Sequence, residues 1–83
     1  MHKYFALQQF FHKQAPQTNN VTLAFNEIES TLNFSLPVSA HKHRSWWANS
    51  SIGKHVQAYS WMNEGWLVIE VSLINEFVIF IRK

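Results

Sequence analysis

The 83 residues suffice for one domain, 1–83, and leave no room for a second core. A domain of this size buries only about 60% of the surface its unfolded chain exposes, and the absence of cysteine excludes a disulfide as compensation. The formal charge of +2 is mildly basic, so where the charges lie matters more than their sum.

With 47% apolar residues and thirteen aromatic rings, the chain holds more than one small core hides, which predicts a homo-oligomer. No run reaches the roughly 18 consecutive apolar residues of a membrane span. Met1-His2-Lys3 is followed by a mixed run rather than the apolar stretch of a signal peptide, so the expected location is cytoplasmic.

Taken in order, residues 3–13 read as a helix, with Tyr4, Leu7 and Phe11 on one stripe and Phe10 at its rim. Ala15 to Asn20 is a loop, since Pro16 ends a helix and paired asparagines favour turns. Val21-Thr22-Leu23 is a short strand. From Phe25 the period turns helical through Ile28 and Leu32, with Glu27 and Glu29 near the positive end of the helix and Asn33 as its stop. Leu36-Pro37 enforces extended backbone, and Ser39 is a candidate N-cap for a turn or two of helix over 40–47. Asn49 to Gly53 is loop-like, with Ser51 placed to cap a helix over about 54–64 that ends at Gly65. Residues 66–73 and 77–82 form a hairpin about Ile74-Asn75-Glu76. Strict alternation puts Leu67, Ile69, Val71 and Leu73 on one face and Trp66, Val68, Glu70 and Ser72 on the other. The second strand is apolar on both faces, which requires packing on both sides.

These elements define an α+β fold: three short helices plus a small antiparallel sheet with a C-terminal β-hairpin. Their order is that of a winged helix, with 54–64 as recognition helix and 73–77 as wing; that likeness of order proves no function.

The stretch from Leu36 to Asn49 carries the chemistry. It places His41, Lys42, His43 and Arg44 next to Trp46 and Trp47, and no carboxylate interrupts the chain between Glu29 and Glu64. Cations beside indoles suit a ligand with negative charge and a flat ring, that is, a nucleotide. Arg44 offers a planar fork of donors for phosphate, with Lys42 or Lys54 as added charge and His43 and His55 as further donors. Trp46 or Trp47 offers a stacking surface, and Asn49 and Gln57 carry paired donors and acceptors able to read a base edge. If residues 40–47 are one helix, His43 and Trp47 share a face and one indole turns into the core. The bland readings are an ion pair from Arg44 to Glu27 or Glu29, core packing for the tryptophans and backbone pairing for Asn49 and Gln57.

Other chemistries are poorly supplied. There is no aspartate, and no glutamate in the central stretch, so a two-metal nuclease lacks ligands. His41, His43 and His55 are weak candidates for a metal, and none is expected; nor is any cofactor. Two glycines are too few for a phosphate-cradling loop. A metal-free phosphodiesterase or ribonuclease using His43 and His55 as acid and base ranks third, after duplex DNA binding by 54–64. An enzyme is therefore the lesser expectation.

The chain resembles a family of short, uncharacterised prokaryotic and phage proteins. The likeness runs through Leu23, Phe25, Glu27, Ile28 and Glu29; the L-P-x-S-A-x-x-H-R-x-W-W-x-N pattern at Leu36, Pro37, Ser39, Ala40, His43, Arg44, Trp46, Trp47 and Asn49; His55, Gln57, Ala58, Trp61, Gly65 and Trp66; and Val78, Phe80 and Arg82. Ser60 stands where the pattern has alanine. The resemblance covers about 4–82 and implies no established activity. By analogy, a small oligomeric binder from a family that occurs in phages suits sequestration of a cyclic immune-signalling nucleotide.

Overall fold

The computed structural model describes residues 2–50 and 56–83; Ser51 to His55, with the proposed Ser51 cap and the start of the 54–64 helix, lie outside the described residues. The element order is α1 (Phe5–His12), β1 (Asn20–Ala24), α2 (Phe25–Leu32), α3 (Val38–Lys42), a 3-10 turn (Arg44–Trp47), α4 (Val56–Met62), β2 (Trp66–Ser72) and β3 (Phe77–Arg82). The fold is mixed α+β with a three-stranded antiparallel sheet in the order β1-β3-β2, closed at the C-terminal end by the β2–β3 hairpin.

The structure meets the expectation of packing on both faces of β3 only in part. β3 is the central strand, flanked on both edges, with Val78 and Phe80 fully buried on the helix side and Phe77, Ile79 and Ile81 half-buried on the other. The helices cover one side of the sheet only. Their apolar stripes follow the expected spacing: Leu7 and Phe11 from α1 with Tyr4 at its N-cap, and Phe25, Ile28 and Leu32 from α2, are all buried.

The caps are local. At the start of α2 the Ala24 N–H donates to the Glu27 carboxylate at 2.7 Å, satisfying one of the orphan donors of a helix start. At its end Asn33 sits in the left-handed region at φ 67°, which asparagine tolerates better than most residues. Gly65 takes φ 81° between α4 and β2, where a side chain would be strained.

Two local expectations are overturned. Ser39 is not a cap: Pro37 occupies that position in extended backbone, and Ser39 lies inside α3. Residues 40–47 are not one helix, because His43 adopts φ −128°, ψ 117° and separates α3 from the 3-10 turn. The shared face expected for His43 and Trp47 is lost with it.

The strict alternation of β2 also fails. Val68 pairs with Phe80 and Glu70 with Ile79, so Ile69 is an extra residue in a β-bulge. Before the bulge Trp66 and Val68 face the core; after it Val71 does, since Val71 opposes the buried Val78. Glu70 moves to the open side with Ser72.

Aromatic rings run through the core. Trp47 lies between Phe25 and Trp61, with centroids at 5.2 and 6.2 Å and planes within 25° of parallel on both sides. Trp61 then meets Phe80 edge-on, and Phe80 meets Phe11. The 3-10 turn is thereby keyed into the centre of the molecule by one indole.

Candidate functional site

The 3-10 turn and the residues after it run beside β2, whose far edge has no strand neighbour. An unpaired edge leaves backbone donors and acceptors open. Here side chains close them. Asn49 donates from Nδ2 to the Val68 carbonyl at 2.8 Å, and its Oδ1 accepts from the Val68 N–H at 2.8 Å, so one amide pairs with a residue as a neighbouring strand would. The same Oδ1 accepts from the buried Trp61 indole N–H at 2.9 Å. On the other side of the bulge, an Arg44 Nη1 donates to the Val71 carbonyl.

Between these two clamps lies a hollow of about 330 Å³, lined by Arg44, Trp47, Ala48, Asn49 and Val68 to Val71. Its cation is Arg44, which is exposed, has donors beyond the one on Val71 and forms no ion pair among the described residues. The ion pairs considered for Arg44 do not form: Glu27 is on the Ala24 N–H and Glu29 accepts from the Leu36 N–H at 2.7 Å. Lys42 and His43 are exposed on the same short segment.

The remaining candidates are placed differently. Trp47 lines the hollow but is 2% exposed, both ring faces are covered, and its N–H donates to the Ala40 carbonyl at 2.9 Å. Trp46 is half-buried, edge-on to Trp47 and Tyr4. Gln57 is buried and donates to the Trp46 carbonyl at 2.8 Å, tying α4 to the 3-10 turn. Ser60, where alanine was expected, is fully buried with its hydroxyl on the Gln57 carbonyl at 2.6 Å. Lys54 and His55 lie outside the described residues. His41 is turned away, with its Nδ1 2.9 Å from Glu76 in the hairpin turn and its ring edge-on to Phe25. Among the described residues no group of three histidines or carboxylates is placed to hold a metal.

A family model described as a domain of unknown function (DUF7662) matches residues 4–83. The chain belongs to that family. No curated protein and no solved structure matches. No helix among the described residues is long and apolar enough to cross a membrane.

Five lining residues escape the sequence reading of this DUF7662 domain, Ala48 and Val68 to Val71, and two of them, Ile69 and Glu70, present exposed side chains. Ile69 is 57% exposed beside the hollow because the bulge takes it out of the pleat. Glu70 is the one carboxylate in the lining among the described residues. Its signal in the sequence is faint: a lone acid inside an otherwise apolar strand, 26 positions from Arg44. A second hollow of about 260 Å³ lies over Phe5, Gln8, Gln9, His12 and Glu64. There the Glu64 carboxylate accepts from Gln8 at 3.0 Å and meets His12 Nδ1 at 2.9 Å, and its pKa is lowered chiefly by the His12 bond.

Proposed function

We propose that this DUF7662 domain binds a small phosphorylated nucleotide without cleaving it, in the hollow between the 3-10 turn and the bulged edge of β2. The supporting observation is the exposed guanidinium of Arg44 in the lining of that hollow, which keeps donors beyond the one on Val71 and forms no ion pair among the described residues, with Lys42 and His43 exposed beside it. Arg44 supplies a fork for the phosphate and the two neighbours supply long-range attraction. The aromatic part of the original expectation is narrower than the sequence suggests, since Trp47 has no free face. The apolar surface available to a ring is the exposed side chain of Ile69. A volume near 330 Å³ stands at the small end of ligand sites and suits a mononucleotide, linear or cyclic. Sequestration of such a nucleotide, in a homo-oligomer, is the role this binding would serve.

Titration calorimetry against mono-, di- and cyclic nucleotides tests the reading, with inorganic phosphate and duplex DNA as controls. Saturable binding of a nucleotide recovered unaltered, weakened at least tenfold by Arg44→Lys, is the expected result. Arg44→Lys keeps the charge and removes the fork, and circular dichroism checks that the β2 edge survives. Consumption of the nucleotide indicates the phosphodiesterase chemistry instead.

Duplex DNA binding is the second reading. It is favoured by the sheet order β1-β3-β2 with a β2–β3 hairpin, which matches a winged-helix element order. Against it, the segment 54–64 holds one lysine and one histidine, which is thin for a recognition helix, and its described part, Val56–Met62, adds no lysine or arginine. Steeply salt-dependent affinity for duplex, with none for mononucleotides, selects it.

A further inference from the structure

The five glutamates of the chain are not equivalent. Glu27 accepts from the Ala24 N–H, Glu29 from the Leu36 N–H, Glu64 holds Gln8 and His12, and Glu76 holds His41. Each of those four ties one element to another or caps a helix. Glu70 alone makes no hydrogen bond or ion pair among the described residues. It is exposed, and it lines the same hollow as Arg44, whose guanidinium is held on the carbonyl of the very next residue, Val71.

An ionised carboxylate accepts only, through two oxygens side by side. The base edge that matches it presents two adjacent donors. Guanine does so with its N1–H and its exocyclic N2 amine. Adenine and cytosine each set one amine beside a ring-nitrogen acceptor, and uracil sets one N–H between two carbonyls; a carboxylate repels those acceptors. The bulge matters here, because without the extra residue Ile69 the strand would put position 70 on the core side.

We infer that Glu70 is a specificity residue and that the nucleotide taken by this hollow is a guanine nucleotide, its phosphate on Arg44 and its base edge on Glu70. The inference rests on the nucleotide-binding reading above. The exposed Ile69 side chain in the same lining supplies the apolar surface for the ring. A single hollow of this size holds one base, so in a dinucleotide the second base lies outside it.

The test is calorimetry of the full chain with GMP, AMP, CMP and UMP, on wild type and on Glu70→Gln. GMP should bind about tenfold or more tighter than the other three, the discrimination of one good bidentate base contact. In Glu70→Gln that preference should collapse to within a few-fold, because the amide nitrogen faces a donor of guanine. Glu70 is exposed, so the variant should keep the circular dichroism and thermal transition of wild type. Equal affinity for the four nucleotides, or a GMP preference unchanged in Glu70→Gln, overturns the assignment of Glu70 while leaving nucleotide binding in place. Failure of all four to bind at millimolar concentration overturns both.

Discussion

Asn49 ties together three parts of the molecule that are distant in sequence, and its removal should show it. Replacing Asn49 by alanine deletes three hydrogen bonds: one from the Trp61 indole and two with the Val68 backbone. They are unequal. The Val68 N–H and carbonyl lie at an exposed edge where water substitutes, so each is worth the net value of an ordinary bond, about 0.5 kcal/mol at this exposure. Trp61 is fully buried, and its N–H would lose its one partner, at a cost of about 1–3 kcal/mol. The sum is about 2–4 kcal/mol, a large fraction of the stability of an 83-residue domain. At roughly 4–8 °C per kcal/mol for a domain this small, the melting temperature should fall by about 8 °C or more. Urea unfolding of Asn49→Ala, Trp61→Phe and the double variant separates the terms. Trp61→Phe removes the donor, so Asn49→Ala should cost about 1–2 kcal/mol less in that background. A loss below about 0.5 kcal/mol in the single variant, or additive losses in the cycle, refutes the account of Asn49 as the joint between β2 and α4.

Other consequences follow from single contacts. The Glu64 pKa is depressed in the fold, first by its bond to His12, so its contribution to stability is present above the unfolded value near 4.5 and is lost as pH falls through the lower folded value; Glu64→Gln should lower the neutral plateau of a pH–stability curve and converge on wild type at low pH, which flattens the acid limb. Asn33→Gly should be neutral within about 0.5 kcal/mol because φ is 67° there, whereas Asn33→Val should cost about 1–2 kcal/mol in urea unfolding. Trp47→Ala removes the middle of the Phe25–Trp47–Trp61 stack and orphans the Ala40 carbonyl, so a loss of about 3–5 kcal/mol is expected, read as a collapsed thermal transition.

Much of the fold is legible in the sequence because its signals are local. The stripes of α1 and α2, the stop at Asn33 and the turn at Gly65 each depend on a few neighbouring residues, and each stands where periodicity and turn chemistry put it. The doubly apolar β3 suggests packing on both faces, of which only the Val78–Phe80 face is fully buried, and its central place in the sheet cannot be named from pattern alone. What pattern misses is non-local. Nothing in Val68-Ile69-Glu70 marks a bulge; it exists because β2 must put Trp66, Val68 and Val71 into one core against a β3 that alternates regularly. The break at His43 is similar. A continuous helix over 40–47 would keep Trp47 at helical spacing from His43, and the break instead lets its indole reach between Phe25 and Trp61.

The candidate site was legible in its residue types and misleading in their roles. Arginine, tryptophan and asparagine in one short run suggest a ligand, yet the first duty of Trp47 is to fill the core and that of Asn49 is to seal the edge of a three-stranded sheet. A sheet this narrow has two edges for one central strand, and an open edge invites pairing with another chain. The β2 edge is stopped by Asn49 at Val68 and by Arg44 at Val71, on either side of the bulge. Because those two clamps stand apart, the bulged backbone between them stays open, and the hollow is the consequence. Arg44 differs from Asn49 in what remains after clamping. The amide of Asn49 has used its oxygen twice, whereas a guanidinium has five donors and needs only one for Val71. The surplus donors, set in one lining with a Glu70 that has no partner among the described residues, are why ligand chemistry is assigned to the arginine and the glutamate rather than to the indoles.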